Sequence, residues 1–329
     1  MYTILWKAMV GEQSKLWDLN VIPPALFFWG GGLLVWCTSD GWNLETFIDW
    51  FKNLEGLNSS QAVFLFLFFV LFLIVSTKLV EWIQSPLIRF AEGYWPIFPL
   101  NKLGDYLVNH LRSKMKPKIL RYDDIGRKYE NLKDPKSVAK GPSDSERIEF
   151  AKLETELNQY PNDMVLPTKF GNIIRAAEEY PSDCYGLETM RVWPDLWLLL
   201  PDRVRDELSK ANKDISERIT WFFWVSSFSL WTIVAWAVWD KIVLWPLFVA
   251  FFGTVSVYYL GLIPAASNFG DLLRASFDLH RFAVYEALHL PLPFDPNDED
   301  KDGENLSQYL KHGIHPDVKV LFTHSEIKK

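Results

Sequence analysis

The chain has 329 residues, with 34 Lys and Arg against 41 Asp and Glu, a net charge of −7 at pH 7, and 16 Trp and 24 Phe. The acid excess and its spread exclude a nucleic-acid footprint, which needs a clustered basic face. Two cysteines, Cys37 and Cys184, exclude a disulfide framework.

Residues 1–20 place Leu5, Trp6, Met9, Leu16 and Trp17 in a short amphipathic lead-in suited to a membrane surface. They show no basic segment followed by an apolar stretch and a small-residue cleavage site, so no cleavable signal is expected. Four apolar runs dominate the rest: 21–38, 62–83, 219–239 and 242–264. A bilayer core is roughly 30 Å thick and a helix rises about 1.5 Å per residue, so each run reads as a span. Trp29, Trp36, Trp82, Trp221, Trp224, Trp239 and Trp245 cluster toward the run ends, where an indole keeps a wet edge and an apolar body.

Span one opens on Pro23-Pro24 and carries Gly30-Gly31-Gly32, which permit close helix approach or a kink. Span two is free of charge from Ala62 to Thr77. Lys78 and Glu81 follow one turn apart and are expected to pair at its inner end.

The insert starts with an apolar, proline-broken stretch, Ser85 to Leu100, expected to lie along the interface. A short helix is predicted over Lys102 to Met115. A basic run follows, in which Lys114, Lys116, Lys118 and Arg121 are candidates for an anionic lipid or ligand, or form a solvated face. Residues 131–142 read as a linker. Ser143 caps the next helix, and Glu146 three residues on completes a capping box.

Lys169 to Glu179 and Tyr185 to Val192 read as two further helices. Trp193 to Pro201 is too apolar for an exposed loop and too short to span. Trp193 and Trp197 are therefore expected to pack on the inner membrane face or on a neighbouring subunit, or, in a scaffold, to dock a soluble partner. A helix from about Asp202 is predicted to run unbroken into span three. Span four is predicted to continue past Pro264 toward Leu290, with Leu272, Leu273, Phe277, Phe282 and Tyr285 as a packing seam.

The fold class is all-α: a multi-pass membrane protein with four transmembrane helices in two hairpins and a helical cytoplasmic domain. The segments are 1–92 (lead-in and first hairpin), 93–218 (cytoplasmic helical insert), 219–264 (second hairpin) and 265–329 (cytoplasmic helix and polar tail). Residues 88–218 hold 22 of the 34 Lys and Arg, whereas 39–61 holds only Lys52. The positive-inside rule then places both termini in the cytoplasm. The layout is similar in topology alone to that of proton-driven stator subunits; no acidic or threonine signature accompanies it.

Site candidates are few. Ser226, Ser229 and Thr232 on span three, with Ala250, Thr254 and Gly261 on span four, form small or hydroxyl stripes that pack helices closely or line a water path. Asp298, Asp300, Asp302 and Gly303 match the first half of a calcium loop, but Tyr309 stands where the bidentate glutamate belongs. No other cofactor is expected. His312 and His315 with Asp317 are short of the three or four ligands a zinc site takes. Asp271, Arg274, Asp278 and His280 share one helix, where Arg274 and Asp278 read as an i,i+4 pair. No nucleophile with its base, phosphate-cradling loop or paired carboxylates has recognisable spacing, so an enzyme is not expected. The function that follows is a homo-oligomeric membrane channel or pore-type effector gated by its cytoplasmic domain. A non-conducting scaffold or sensor docking a soluble partner, and a membrane enzyme acting on lipid near Arg274, are the alternatives.

Overall fold

A computed structural model describes residues 22–39, 48, 52, 58–133, 141–313 and 322. The described residues form helices and connecting turns, with no strand among them. In chain order the helices are α1 Ile22–Ser39, α2 Ser59–Trp82, α3 Gln84–Glu92, α4 Leu100–Lys133, α5 Asp144–Leu157, α6 Lys169–Tyr185, α7 Thr189–Leu199, α8 Asp202–Ser227, α9 Leu230–Trp239, α10 Trp245–Ser256, α11 Ile263–Ala287 and α12 Pro296–His312. A π-helical turn, Val257–Leu262, joins α10 to α11.

Three helical runs among the described residues, not four, are long and apolar enough to cross a bilayer: Ser60–Trp82, Asp202–Trp239 and Trp245–Ala287. This composition marks a membrane protein. The expected first span corrects to α1, an 18-residue helix that falls outside this set. At about 1.5 Å per residue it is about 27 Å long, short of a bilayer core of roughly 30 Å. Two further boundaries shift. The runs 219–239 and 242–264 leave only Asp240-Lys241 between them, whereas the turn extends over 240–244: Asp240 turns left-handed (φ 54°), the Lys241 N–H donates to Ala235 O at 3.1 Å, and α10 restarts with Pro246 in its first turn. The short helix expected over Lys102 to Met115 is the first part of a 34-residue helix, α4, which continues through the exposed Pro117.

The chain divides into two compact units, one from residues 14–89 and 213–265, the other from 90–212 and 266–329. In the apolar unit, Ala25, Phe28, Val35, Leu73, Val80, Trp224, Phe228, Ala235, Val243 and Ala250 make one buried cluster. Small residues set its spacing, because two helix backbones approach closely only where no side chain intervenes. Gly32 faces Trp231, whose indole Nε1 donates to Phe28 O at 3.0 Å; Trp245 Nε1 donates to Thr38 Oγ1 at 3.1 Å. Lys78 pairs with Glu81 at 2.7 Å, as the one-turn spacing predicts.

In the polar helical unit, α6, α7 and α11 enclose a core of Phe170, Ile174, Trp193, Leu196, Phe269, Leu273 and Phe277. Residues 266, 269, 273, 277 and 284 repeat at helical spacing on α11, which gives it one buried stripe. Of the seam predicted there, Leu273, Phe277 and Tyr285 are buried, whereas Phe282 is 38% exposed. The α6 N-terminus is held by Thr168, whose Oγ1 accepts from Gly171 N at 3.0 Å and donates to Glu92 O at 2.8 Å. Asn172 is fully buried and locks the same turn: its Oδ1 accepts from Leu166 N at 2.7 Å, and its Nδ2 donates to Leu166 O and Thr168 O at 2.8 Å each. Gly186 does not start a helix as expected. It ends α6 in the left-handed region (φ 66°).

Candidate functional site

A cleft of about 800 Å³ opens in the polar helical unit, within the size range of small-molecule sites. Helices α4, α5, α6 and α11 line it, through Arg112, Tyr122, Tyr160, Tyr180, Cys184 and Arg274 among others.

The α4 wall is braced against α5 by ion pairs. Lys118 bonds Glu156, Arg121 contacts Glu149 at 3.0 Å, and Lys128 contacts Glu146 at 2.5 Å; Arg121 also meets Asp124 of its own helix at 3.0 Å. Lys128, together with the Ser143 backbone N–H, holds the Glu146 carboxyl down to about 2. The capping box at Ser143 forms as predicted, with Ser143 N donating to Glu146 Oε2 at 2.9 Å. Tyr122 stacks on Phe150 of α5, ring centroids 4.4 Å apart.

The opposite wall carries a hydroxyl–carboxylate network. Asp278 Oδ1 accepts from Tyr185 OH at 2.7 Å and from Tyr180 OH at 3.0 Å. Burial, then the hydrogen bonds to Tyr185 and Asp278, push the Tyr180 phenol far above its ordinary range. The Arg274 guanidinium lies 5.9 Å from the Tyr180 ring centroid, donates to Asn158 O at 2.8 Å and pairs with Asp271 at 3.2 Å. The predicted Arg274–Asp278 pair is thus replaced: the tyrosines take Asp278, and Arg274 turns to α5. Desolvation at the cleft wall, with Asp183 and Asp278 nearby, pushes the thiol of the exposed Cys184 up. A floor of neutral phenols, one fixed guanidinium and a protonated thiol suits a polar, partly aromatic ligand.

No protein family, curated protein or solved structure matches this chain. The site therefore rests on its own chemistry.

Of the residues singled out in the sequence, Lys116 and Arg274 line the cleft, and the others fall elsewhere. Lys118 and Arg121 of the basic run serve as braces, whereas Lys114 and Lys116 are exposed. Trp193 and Trp197 correct from a docking surface to core: they are 0% and 5% exposed, and the Trp193 ring centroid is 5.9 Å from that of Phe277. Asp298, Asp300 and Asp302 correct from a loop to a helix, because α12 runs straight through them. An EF-hand-type ion needs a loop that wraps it. No group of three metal-ligating side chains occurs among the described residues. His312 ends α12; His315 and Asp317 lie outside the described residues.

In the apolar unit, Ser226 and Ser229 donate back to their own helix, to Phe223 O and Ser226 O at 2.9 Å each. The Thr232 and Thr254 hydroxyls are buried without a partner among the described residues. Gly261 packs on Arg218, with Cδ 3.2 Å from where its Cβ would stand.

Sequence reasoning missed Tyr180, Tyr185, Tyr160 and Cys184. Tyr180 and Asp278 are 98 positions apart, and no local spacing announces their contact.

Proposed function

We propose that the chain is a homo-oligomeric membrane channel or pore-type effector, gated by ligand in the cleft of its polar helical unit, with that unit and both termini on the cytoplasmic side. One observation carries the reading: the helical run Trp245–Ala287. Its apolar part holds Thr254 and Gly261, and its polar part supplies Arg274 to the cleft. A ligand that displaces Arg274 acts on a helical run that continues in the chain into the apolar residues, and coupling between two sites requires such a shared element.

Both long spans also carry a backbone irregularity. Val225–Thr232 tightens into i→i+3 bonds, with Phe228 N donating to Val225 O at 3.2 Å and Thr232 N to Ser229 O at 3.1 Å. Val257–Leu262 loosens into a π turn. Such breaks recur at functional hinges, and the partnerless Thr232 and Thr254 hydroxyls favour a nearby polar path. The scaffold alternative loses its carrying residues, since Trp193 and Trp197 are interior. The lipid-enzyme alternative relied on Arg274, which is committed to Asp271 and Asn158 O.

The test is recording from purified protein in planar bilayers. Ser229→Leu and Thr232→Leu should change unitary conductance, and Arg274→Ala should change open probability at unchanged conductance. Silent bilayers with the wild-type chain across pH and salt, or a monomer in particle images, overturn the proposal.

A further inference from the structure

The polar helical unit turns a greasy edge outward. Between α3 and α4 and along the first turns of α4, Tyr94, Ile97, Phe98, Leu103 and Tyr106 are exposed, Ile97 to 70%, Phe98 to 68% and Tyr106 to 67%. The segment is held rather than loose at its start: Trp95 Nε1 donates to Phe90 O at 2.8 Å. Large apolar side chains gathered in one exposed stretch mark a surface meant to be covered.

The charge beside this edge says what covers it. From Leu100 to Lys118 the chain carries Lys102, Arg112, Lys114, Lys116 and Lys118, and Asp105 is the single acid. Farther along α4, Arg121 and Lys128 are neutralised by α5 carboxylates, as is Lys118. Lys102, Arg112, Lys114 and Lys116 have no ion pair among the described residues, and the Lys102 ammonium sits 5.3 Å from the Phe98 ring centroid. Unspent positive charge flanking aromatic and aliphatic side chains is the composition of a segment lying at the headgroup–acyl boundary of an anionic leaflet. The chain path agrees: only Ile83 and α3 separate Trp82, the last residue of a span, from Gly93.

We propose that Tyr94–Tyr106 is an interfacial anchor. Ile97 and Phe98 insert among acyl chains, and the unpaired α4 cations rest on anionic headgroups. The anchor needs no pore; Arg112 and Lys116 also line the cleft, whereas Lys102 and Lys114 do not, and the readout below is lipid insertion rather than conductance.

The test uses the full chain reconstituted in vesicles, with Cys37→Ser, Cys184→Ser and Phe98→Cys, and an environment-sensitive nitrobenzoxadiazole label on the new thiol. Phe98 is exposed, so the substitution spares the core. Emission should shift to the blue, and brominated acyl chains should quench it more than aqueous iodide does. The shift should be larger with phosphatidylserine than with phosphatidylcholine alone, and exchanging Lys102, Arg112, Lys114 and Lys116 for Gln should erase that difference. Water-like emission quenched by iodide overturns the proposal. So does a label shielded from both quenchers with thiols at position 98 cross-linking between chains, which would make the edge a contact between copies.

Discussion

Gly31 sits against the ring of Phe228 with no room for a side chain: a Cβ there would fall 2.3 Å from Phe228 Cε2 and 2.7 Å from Cζ. The three-glycine run of α1 is therefore not uniform. Gly30 has nothing within 4 Å of its would-be Cβ.

Gly31→Ala should destabilise the apolar unit by about 1–3 kcal/mol, because the Phe228 ring is fully enclosed and has nowhere to retreat. Gly30→Ala should be neutral or stabilising by up to about 1 kcal/mol through helix propensity alone. Melting of the detergent-solubilised protein reads both. Phe228→Ala should recover part of the Gly31→Ala loss in a double-mutant cycle, with a coupling of about 0.5–3 kcal/mol. Equal effects at positions 30 and 31 would refute the contact.

A second crossing holds α12. A Cβ on Gly303 would stand 1.8 Å from Tyr185 O, and one on Gly186 would stand 2.0 Å from Asp300 O. Both obstacles are backbone, which cannot rotate away. Gly303→Ala should cost about 3 kcal/mol, at the upper end for overpacking, and expose the segment after Leu290 to limited proteolysis. Gly126→Ala, whose nearest neighbour is 3.8 Å away, is the matched control and should leave the digest unchanged.

Two carboxyls should give the stability profile opposite slopes. The Lys128 ammonium holds Glu146 near 2 in the folded chain, so its stabilisation is present above the ordinary carboxylate range and lost as pH falls toward 2. Burial, with Glu92 and Glu179 adding repulsion, pushes Glu178 well above that range. The folded chain then binds a proton that the unfolded chain has released, so stability falls as pH rises from the ordinary carboxylate range through the raised value. Melting temperature against pH should have a shallower acid limb in Lys128→Gln and flatten on the neutral side in Glu178→Gln. Unchanged slopes in both variants would refute the assignments.

What the sequence made legible was local or compositional. The apolar runs stand out because hydrocarbon tolerates almost nothing else, and the Ser143–Glu146 box because its partners are three residues apart. The helix predicted to stop at Met115 runs on to Lys133, because Pro117 lies on an exposed face of α4 where the helix tolerates the lost N–H. Trp193 to Pro201 misled in the other direction: its apolarity signals burial without saying against what, and α11, some 80 positions away, is the answer. The acidic spacing at Asp298–Asp302 is equally compatible with a helix. There Arg281 meets Glu299 at 2.5 Å, with the Arg281 guanidinium 4.1 Å from the Tyr185 ring centroid. The cleft was invisible because four helices far apart in sequence each contribute a few side chains.

Cys184 offers a direct reading of that cleft. The residue lines the cleft while staying exposed, and its thiol is pushed above its ordinary range, first by desolvation and then by Asp183 and Asp278. The thiolate is the reactive form, so alkylation with iodoacetamide in a Cys37→Ser background should be slower than for a free thiol at pH 7 and should still climb above pH 9. Asp278→Asn removes one repelling charge and frees the Tyr180 and Tyr185 hydroxyls to turn toward the cleft, so alkylation should quicken and its pH profile should move toward neutral. Tyr180 draws the Cys184 thiol down, so Tyr180→Phe should slow the reaction. Mass spectrometry of the Cys184 peptide against time gives the rates. Equal rates in all three proteins would mean that Cys184 faces bulk water and that the wall formed by Tyr180, Tyr185 and Asp278 does not enclose it.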